Sequence, residues 1–61
     1  MISFDDAGLK GGDVVIVISD KRPLHFYEGQ ELRLRDTGRG IRAPDMSNGS
    51  AFQWGLKEPK L

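Results

Sequence analysis

The chain of 61 residues contains no cysteine, so it can form no internal disulfide and offers no thiolate to a substrate or a metal. Its longest aliphatic run, Val14–Ile18, is far shorter than the roughly 20 residues that a helix needs to span a bilayer. Acidic residues near the N-terminus stand where a secretory signal carries basic ones. These absences predict a soluble, cytoplasmic protein with no membrane partner.

The sequence also lacks a net charge, because nine basic side chains balance nine acidic ones. A neutral chain is not typical of a strongly driven binder of nucleic acid or membranes. The charges are unevenly distributed, however, with residues 1–20 acidic and residues 21–43 basic. We expect these two regions to neutralise each other in part.

The clearest structural signal is the run of β-branched apolar residues at Val14–Ile18, which predicts the central strand. Successive side chains of a strand point to opposite faces. One face carries Val14, Ile16 and Ile18, and the other carries Val15 and Val17. Both faces are apolar and both need cover, which calls for a barrel, a folded sheet or a second subunit. A homo-oligomer is therefore expected as readily as a monomer.

Shorter alternating segments separated by turn residues predict the remaining strands. These are Leu24–Tyr27, Leu32–Arg35, Ile41–Ala43 and Ala51–Leu56, preceded by an N-terminal loop or short helical turn over residues 1–12 and followed by a frayed tail over residues 57–61. The pattern predicts a single all-β domain over residues 1–61, a small antiparallel barrel or sandwich of about five short strands, SH3-like or OB-like. Gly12–Ser19 resembles the opening strand of KOW-type SH3-like modules, which supports a small barrel.

No residue pattern indicates catalysis or a cofactor. The triplet Asp36-Thr37-Gly38 is the one on which retroviral-type aspartic proteases place their catalytic carboxylate, but the preceding Leu-Arg alternation and the bulky Arg39 depart from that pattern. His25 is the only histidine, and no group of residues has metal-ligand spacing. We therefore predict a protein that is not an enzyme and holds no metal or cofactor.

Four arginines are the best candidates for a binding surface. If the strands pair through the Asp36–Gly40 turn, Arg33, Arg35 and Arg42 project from one solvent face and Arg39 lies at the tip. His25 and Tyr27 would add contacts if their strand lies alongside. Three interpretations stay open: a surface for an acidic protein partner, a basic hairpin over residues 33–42 that binds nucleic acid, and a solvated face paired with Glu28, Glu31 and Asp36.

The favoured hypothesis is a small protein-binding module, an inhibitor or accessory subunit that occupies a surface of a larger protein. The nucleic-acid binder is the alternative. Trp54 alternates with Phe52 and Leu56, which predicts a core position for its ring, although tryptophan is also enriched at interfaces.

Overall fold

A computed structural model describes residues 2–23 and 25–57. Five short strands make up its regular structure: β1 (Val14–Ser19), β2 (Glu31–Arg33), β3 (Arg35–Thr37), β4 (Gly40–Arg42) and β5 (Gln53–Leu56). They form an antiparallel sheet of order β2-β1-β5 and a separate antiparallel pair, β3-β4. The described residues contain no helix, so the all-β class is confirmed. No closed barrel is found in this part of the chain, and the SH3-like or OB-like arrangement stays a prediction.

The central position of the β-branched run is confirmed, because β1 lies between the other two strands of its sheet. However, only one of its faces is fully buried, since Val14 and Ile16 on the other face are half-buried. Val15 and Val17 are buried at 0% and 1% exposure, whereas Ile18 on the opposite face is 50% exposed. Within the described residues the second face of the strand is therefore only partly covered, and the second subunit that could complete the cover stays a prediction.

The core contains nine buried hydrophobic residues. They are Phe4, Val15, Val17, Leu32, Leu34, Ile41, Ala43, Phe52 and Trp54. The core position predicted for Trp54 is confirmed, and its indole Nε1 donates a hydrogen bond to the carbonyl of Gly49 at 3.0 Å. Leu56 was predicted to join the core on the same face, but it is 46% exposed.

The segment predicted as a strand at Leu24–Tyr27 is not one. Leu24 lies outside the described residues, and residues 25–27 belong to no strand. Pro23 lacks a backbone donor, and the Tyr27 N–H is taken by the side chain of Gln30 at 3.2 Å. The alternation of Leu24–Tyr27 therefore does not lead to strand pairing.

The two sheets meet at Leu34. Its N–H donates to the Asp13 carbonyl, and its own carbonyl accepts from the Gly12 N–H, both at 2.8 Å. Leu32 and Leu34 point inward and Arg33 and Arg35 outward, as the alternation predicts. Because the chain leaves the first sheet at Leu34, the predicted hairpin over residues 33–42 is shorter than expected and spans residues 35–42.

The N-terminal segment forms a hydrogen-bonded turn. The Ala7 N–H donates to the Ser3 carbonyl at 3.0 Å, and the Asp6 N–H donates to Ser3 Oγ at 3.1 Å. Phe4 of this segment is fully buried in the core, whereas Ile2 is 49% exposed. Residues 58–61 of the predicted tail lie outside the described part of the chain.

The described residues include no helix long and apolar enough to cross a membrane.

Candidate functional site

The tip of the β3-β4 hairpin is held by its own side chains and backbone. Thr37 pairs with Gly40 in the ladder, and the Thr37 hydroxyl donates to the Gly40 carbonyl at 2.8 Å while accepting the Arg39 N–H at 3.1 Å. Gly40 has a φ of 110°, a conformation that side chains disfavour. This turn presents Arg39 as an exposed residue at the tip.

Asp5 reaches across from the N-terminal turn to the hairpin. Both of its carboxylate oxygens accept the Ile41 N–H at 3.2 Å. A Cβ atom at Gly40 would lie 2.5 Å from Asp5 Oδ2, so the absence of a side chain there allows the carboxylate to approach the backbone. This contact joins the acidic start of the chain to its basic middle.

Arg42, one of the four predicted contact residues, is engaged within the molecule. Its guanidinium donates to Asp5 Oδ2 at 3.3 Å, to the Ile41 carbonyl at 2.9 Å and to the Arg39 carbonyl at 2.6 Å. Its side chain is only 19% exposed. Arg42 therefore fixes the hairpin and the N-terminal turn to each other, and little of its hydrogen-bonding capacity faces solvent.

The other three predicted arginines, Arg33, Arg35 and Arg39, form what we call the exposed arginine set. All three are exposed. Within the described residues, the ion pairs and side-chain hydrogen bonds involve other basic groups and leave these three guanidiniums without an acceptor. Glu31, which the sequence placed near them, pairs with Lys57 at 2.8 Å instead.

Arg35 and Arg42 face each other directly across the β3-β4 ladder. Directly opposed like charges destabilise a strand pair. Asp5 compensates the charge of Arg42, while no carboxylate of the described residues bonds to Arg35. The charge of Arg35 is consequently available to an anionic group from another molecule.

No hydrogen bond, ion pair or cation–π contact joins His25 or Tyr27 to the exposed arginine set within the described residues. His25 Nδ1 lies 3.5 Å from Asp45 Oδ2, and its ring is tilted against that of Phe26. Tyr27 is 71% exposed and precedes the turn that leads into β2. The prediction that a histidine–tyrosine strand lies alongside the arginines depended on a strand that does not form.

A second charged cluster surrounds Arg22, which the sequence indicated only as part of a strand break. Its guanidinium forms two hydrogen bonds with Asp20, at 3.1 and 3.0 Å, and lies 3.2 Å from Asp45 Oδ2. The same group sits 5.6 Å from the ring centroid of Phe26 and 5.0 Å from that of Phe52. The Asp20-x-Arg22 spacing is the local sequence feature that could have indicated this cluster. The contacts of Arg22 with Asp45 and Phe52 could not be predicted, because both residues are distant in sequence.

This cluster shifts the acidity of its carboxylates. The hydrogen bonds from the Arg22 side chain lower the pKa of Asp20 from its ordinary value of 3.8 to about 2. Burial raises the pKa of Asp45, but hydrogen bonding from Ser47 and the charges of Arg22 and His25 outweigh it, so the net shift is downward. Asp20 also raises the pKa of Arg22. Both carboxylates are therefore stabilised as anions, which suits structural ion pairs.

The described residues offer no metal site, and one depression on their surface is small. No group of three or more histidine or acidic side chains within residues 2–23 and 25–57 could hold a metal ion. A depression of about 220 Å³ is smaller than the roughly 300–1,000 Å³ of ligand pockets. It is lined by Ser19, Lys21, Ser50, Ala51, Phe52 and Gln53, none of which was predicted as a site residue.

Comparison of the chain with protein-family models, with curated proteins and with solved structures finds no match.

Proposed function

We propose that this protein is a small non-enzymatic binding module that recognises an acidic surface of a larger protein through the exposed arginine set. The proposal rests on one observation, that the five arginines of the chain differ in whether a carboxylate of the chain binds their guanidinium. Arg22 and Arg42 are held by carboxylates of the chain itself, whereas the guanidiniums of the exposed set have no acceptor among the described residues. A guanidinium that has no acceptor in its own chain can form two parallel hydrogen bonds with a carboxylate of another molecule.

The scaffold supports this proposal. Arg33 is placed by its pairing with Val14 of β1, Arg35 by the β3-β4 ladder, and Arg39 by the hydrogen-bonded turn around Thr37. Side chains presented by strands and a tight turn lose less conformational freedom on binding than side chains on a long loop. An inhibitor or accessory subunit gains affinity from such preorganisation.

The charge balance favours an acidic protein over nucleic acid. The chain has no net charge, and two exposed acids, Glu31 and Asp36, lie within the strands that carry Arg33 and Arg35. A nucleic-acid surface is typically basic over a wide area. The mixture of charges here matches a local acidic patch better than a continuous phosphate backbone.

A selection experiment tests this proposal. A random peptide library is selected on the immobilised protein, and the enriched peptides are tested against the Arg33/Arg35→Gln variant and against Lys10/Lys21→Gln, which removes the same charge from exposed lysines elsewhere. We expect acidic peptides whose binding weakens about tenfold in the arginine variant and hardly changes in the lysine variant. Enrichment without acidic residues, or equal losses in both variants, would contradict the proposal.

A second binding assay distinguishes the nucleic-acid alternative from the acidic-protein proposal. Labelled mixed-sequence DNA and RNA are titrated at low and high salt, with fluorescence anisotropy as the readout. Binding that falls steeply with salt and disappears in the Arg33/Arg35→Gln variant would replace the acidic-protein proposal. An absence of binding at low salt would support it.

A further inference from the structure

The open edge of the β2-β1-β5 sheet carries an inference that is independent of the arginines. The alternation of backbone hydrogen bonds along β1 defines this edge. The N–H of Val17 donates to the Gln30 carbonyl at 2.9 Å, on the β2 side, whereas the Val14 carbonyl accepts the Lys57 N–H at 3.3 Å, on the β5 side. Neighbouring residues of an antiparallel strand bond to opposite sides. The register pairs Ile16 with Gly55, so Gly55 directs its backbone groups towards β1.

It follows that Trp54 and Leu56 direct their backbone N–H and C=O groups away from β1. Within the described residues β5 pairs with no second strand, and no backbone bond outside the ladders involves either residue. Unpaired groups of this kind form a template for another strand. Natural edges are often protected by charge, proline or a bulge, and Gln53–Leu56 contains neither charge nor proline. The β1-β5 ladder does have a register shift, but its extra residue lies on β1 between Val17 and Ser19 and not on the outer edge of β5.

Apolar side chains accompany this edge on both faces of the sheet. Leu56 is 46% exposed and Ile18 is 50% exposed. Ile18 belongs to the partly covered face of β1, and its Cδ1 would lie 3.4 Å from a Cβ atom at Gly55. An added strand would therefore gain apolar contacts as well as backbone hydrogen bonds.

We propose that the occupant of this edge is the β5 strand of a second copy of the chain. Two β5 strands related by a twofold axis at Gly55 would place Trp54 of one copy opposite Leu56 of the other, and the reverse. Each outward N–H and C=O of these residues then meets its complement. Gly55 would face Gly55 of the second copy, where no side chain obstructs the close approach of the two strands.

The self-complementarity of the edge argues for an identical chain over an unrelated peptide. Trp54 and Leu56, whose backbone groups face outward, lie on either side of Gly55. The N–H and C=O groups of each residue can therefore pair with those of the other residue in a second copy without a register shift. A net charge of zero removes the long-range repulsion between identical molecules. The product is a continuous six-stranded antiparallel sheet with the partly covered faces of both β1 strands on the same side.

Sedimentation equilibrium over a wide concentration range tests the proposal. We expect the weight-average mass to rise from 6.8 kDa towards twice that value. The Leu56→Pro variant removes an N–H that β1 does not use, a position where proline is tolerated in an edge strand, and should stay monomeric. The matched control Leu56→Val keeps the N–H and should associate like the unmodified protein. Association that persists in a folded Leu56→Pro variant would overturn the proposal.

Hydrogen exchange of the unmodified protein provides a second test that does not depend on the folding of a variant. The amides of Trp54 and Leu56 should exchange rapidly in dilute solution and become protected as concentration rises. The Gly55 amide bonds to β1 and serves as an internal control whose protection should change little. Trp54 and Leu56 amides that stay unprotected at the highest concentration, or a mass that stays monomeric, would overturn the proposal.

Discussion

At the scale of single residues, the packing of Phe4 on Gly49 shows how closely this small core is fitted. Gly49 has a φ of 92°, and a Cβ atom there would lie 2.7 Å from Phe4 Cε1. The Gly49 carbonyl also accepts the indole N–H of Trp54, and the Phe4 N–H donates to the neighbouring Asn48 carbonyl at 2.8 Å. One glycine thus joins the N-terminal segment to the aromatic core.

We predict that Gly49→Ala lowers the free energy of unfolding by about 3 kcal/mol, because overpacking adds to the backbone strain of a positive φ. Gly8→Ala is the matched control, since Gly8 has a φ of 77° but open space around it, and we expect a loss of about 1 kcal/mol from strain alone. Urea unfolding followed by circular dichroism measures both. Equal losses in the two variants would show that the contact with Phe4 does not matter.

A second prediction at this scale concerns pH. The pKa of Asp20 is lowered from 3.8 to about 2 in the folded protein. Its ion pair with Arg22 therefore stabilises the fold fully at pH values above the pKa of Asp20 in the unfolded chain. That contribution is lost as the pH falls from about 4 to about 2. We predict that the stability difference between the unmodified protein and Asp20→Asn is constant above pH 5 and shrinks below pH 4. A difference that is independent of pH would contradict this role.

At the scale of elements, the β3-β4 hairpin depends on the N-terminal turn. Its strands have three residues each, and an isolated two-stranded hairpin is marginally stable at best. Asp5 supplies an acceptor for the Ile41 N–H and a counter-charge for Arg42. The contact spans 36 residues of chain and compensates for the shortness of the hairpin.

We predict that Asp5→Ala destabilises the protein by about 1–2 kcal/mol, since it leaves the Ile41 N–H without its acceptor. Asp6→Ala makes the same change of charge at an adjacent exposed residue and should alter stability by less than about 0.5 kcal/mol. Chemical unfolding of both variants gives the comparison. Equal effects would indicate that net charge alone, without the hydrogen bond, explains the result.

The alternation of apolar residues was sufficient to predict the strands that face the core. Val15 and Val17 in β1, and Leu32 in β2, are buried as a period of two requires. The same alternation failed at Leu24–Tyr27, where proline and local side-chain bonds prevent pairing. The engagement of Arg42 could not be predicted, because its partner Asp5 is 37 residues away in sequence and nothing local indicates that contact.

At the scale of the whole molecule, the distribution of ion pairs determines which charges are available for binding. The chain is neutral, yet its carboxylates pair with some of its basic side chains and not with others. Asp5, Asp20, Asp45 and Glu31 each bond to a basic side chain. The exposed arginine set has no such partner among the described residues. Uneven internal pairing therefore leaves a local positive surface on a neutral protein, and this surface is the basis of the proposed function.

The most direct test of this account is the equilibrium titration of a fluorescein-labelled acidic peptide, obtained by the selection described above, with matched variants. We predict that Arg33/Arg35→Gln weakens binding about tenfold or more, that Arg39→Gln weakens it less, and that Lys10/Lys21→Gln leaves it nearly unchanged. Retention of Trp54 fluorescence confirms that each variant is folded. Undiminished binding by the folded Arg33/Arg35→Gln variant would contradict the central claim.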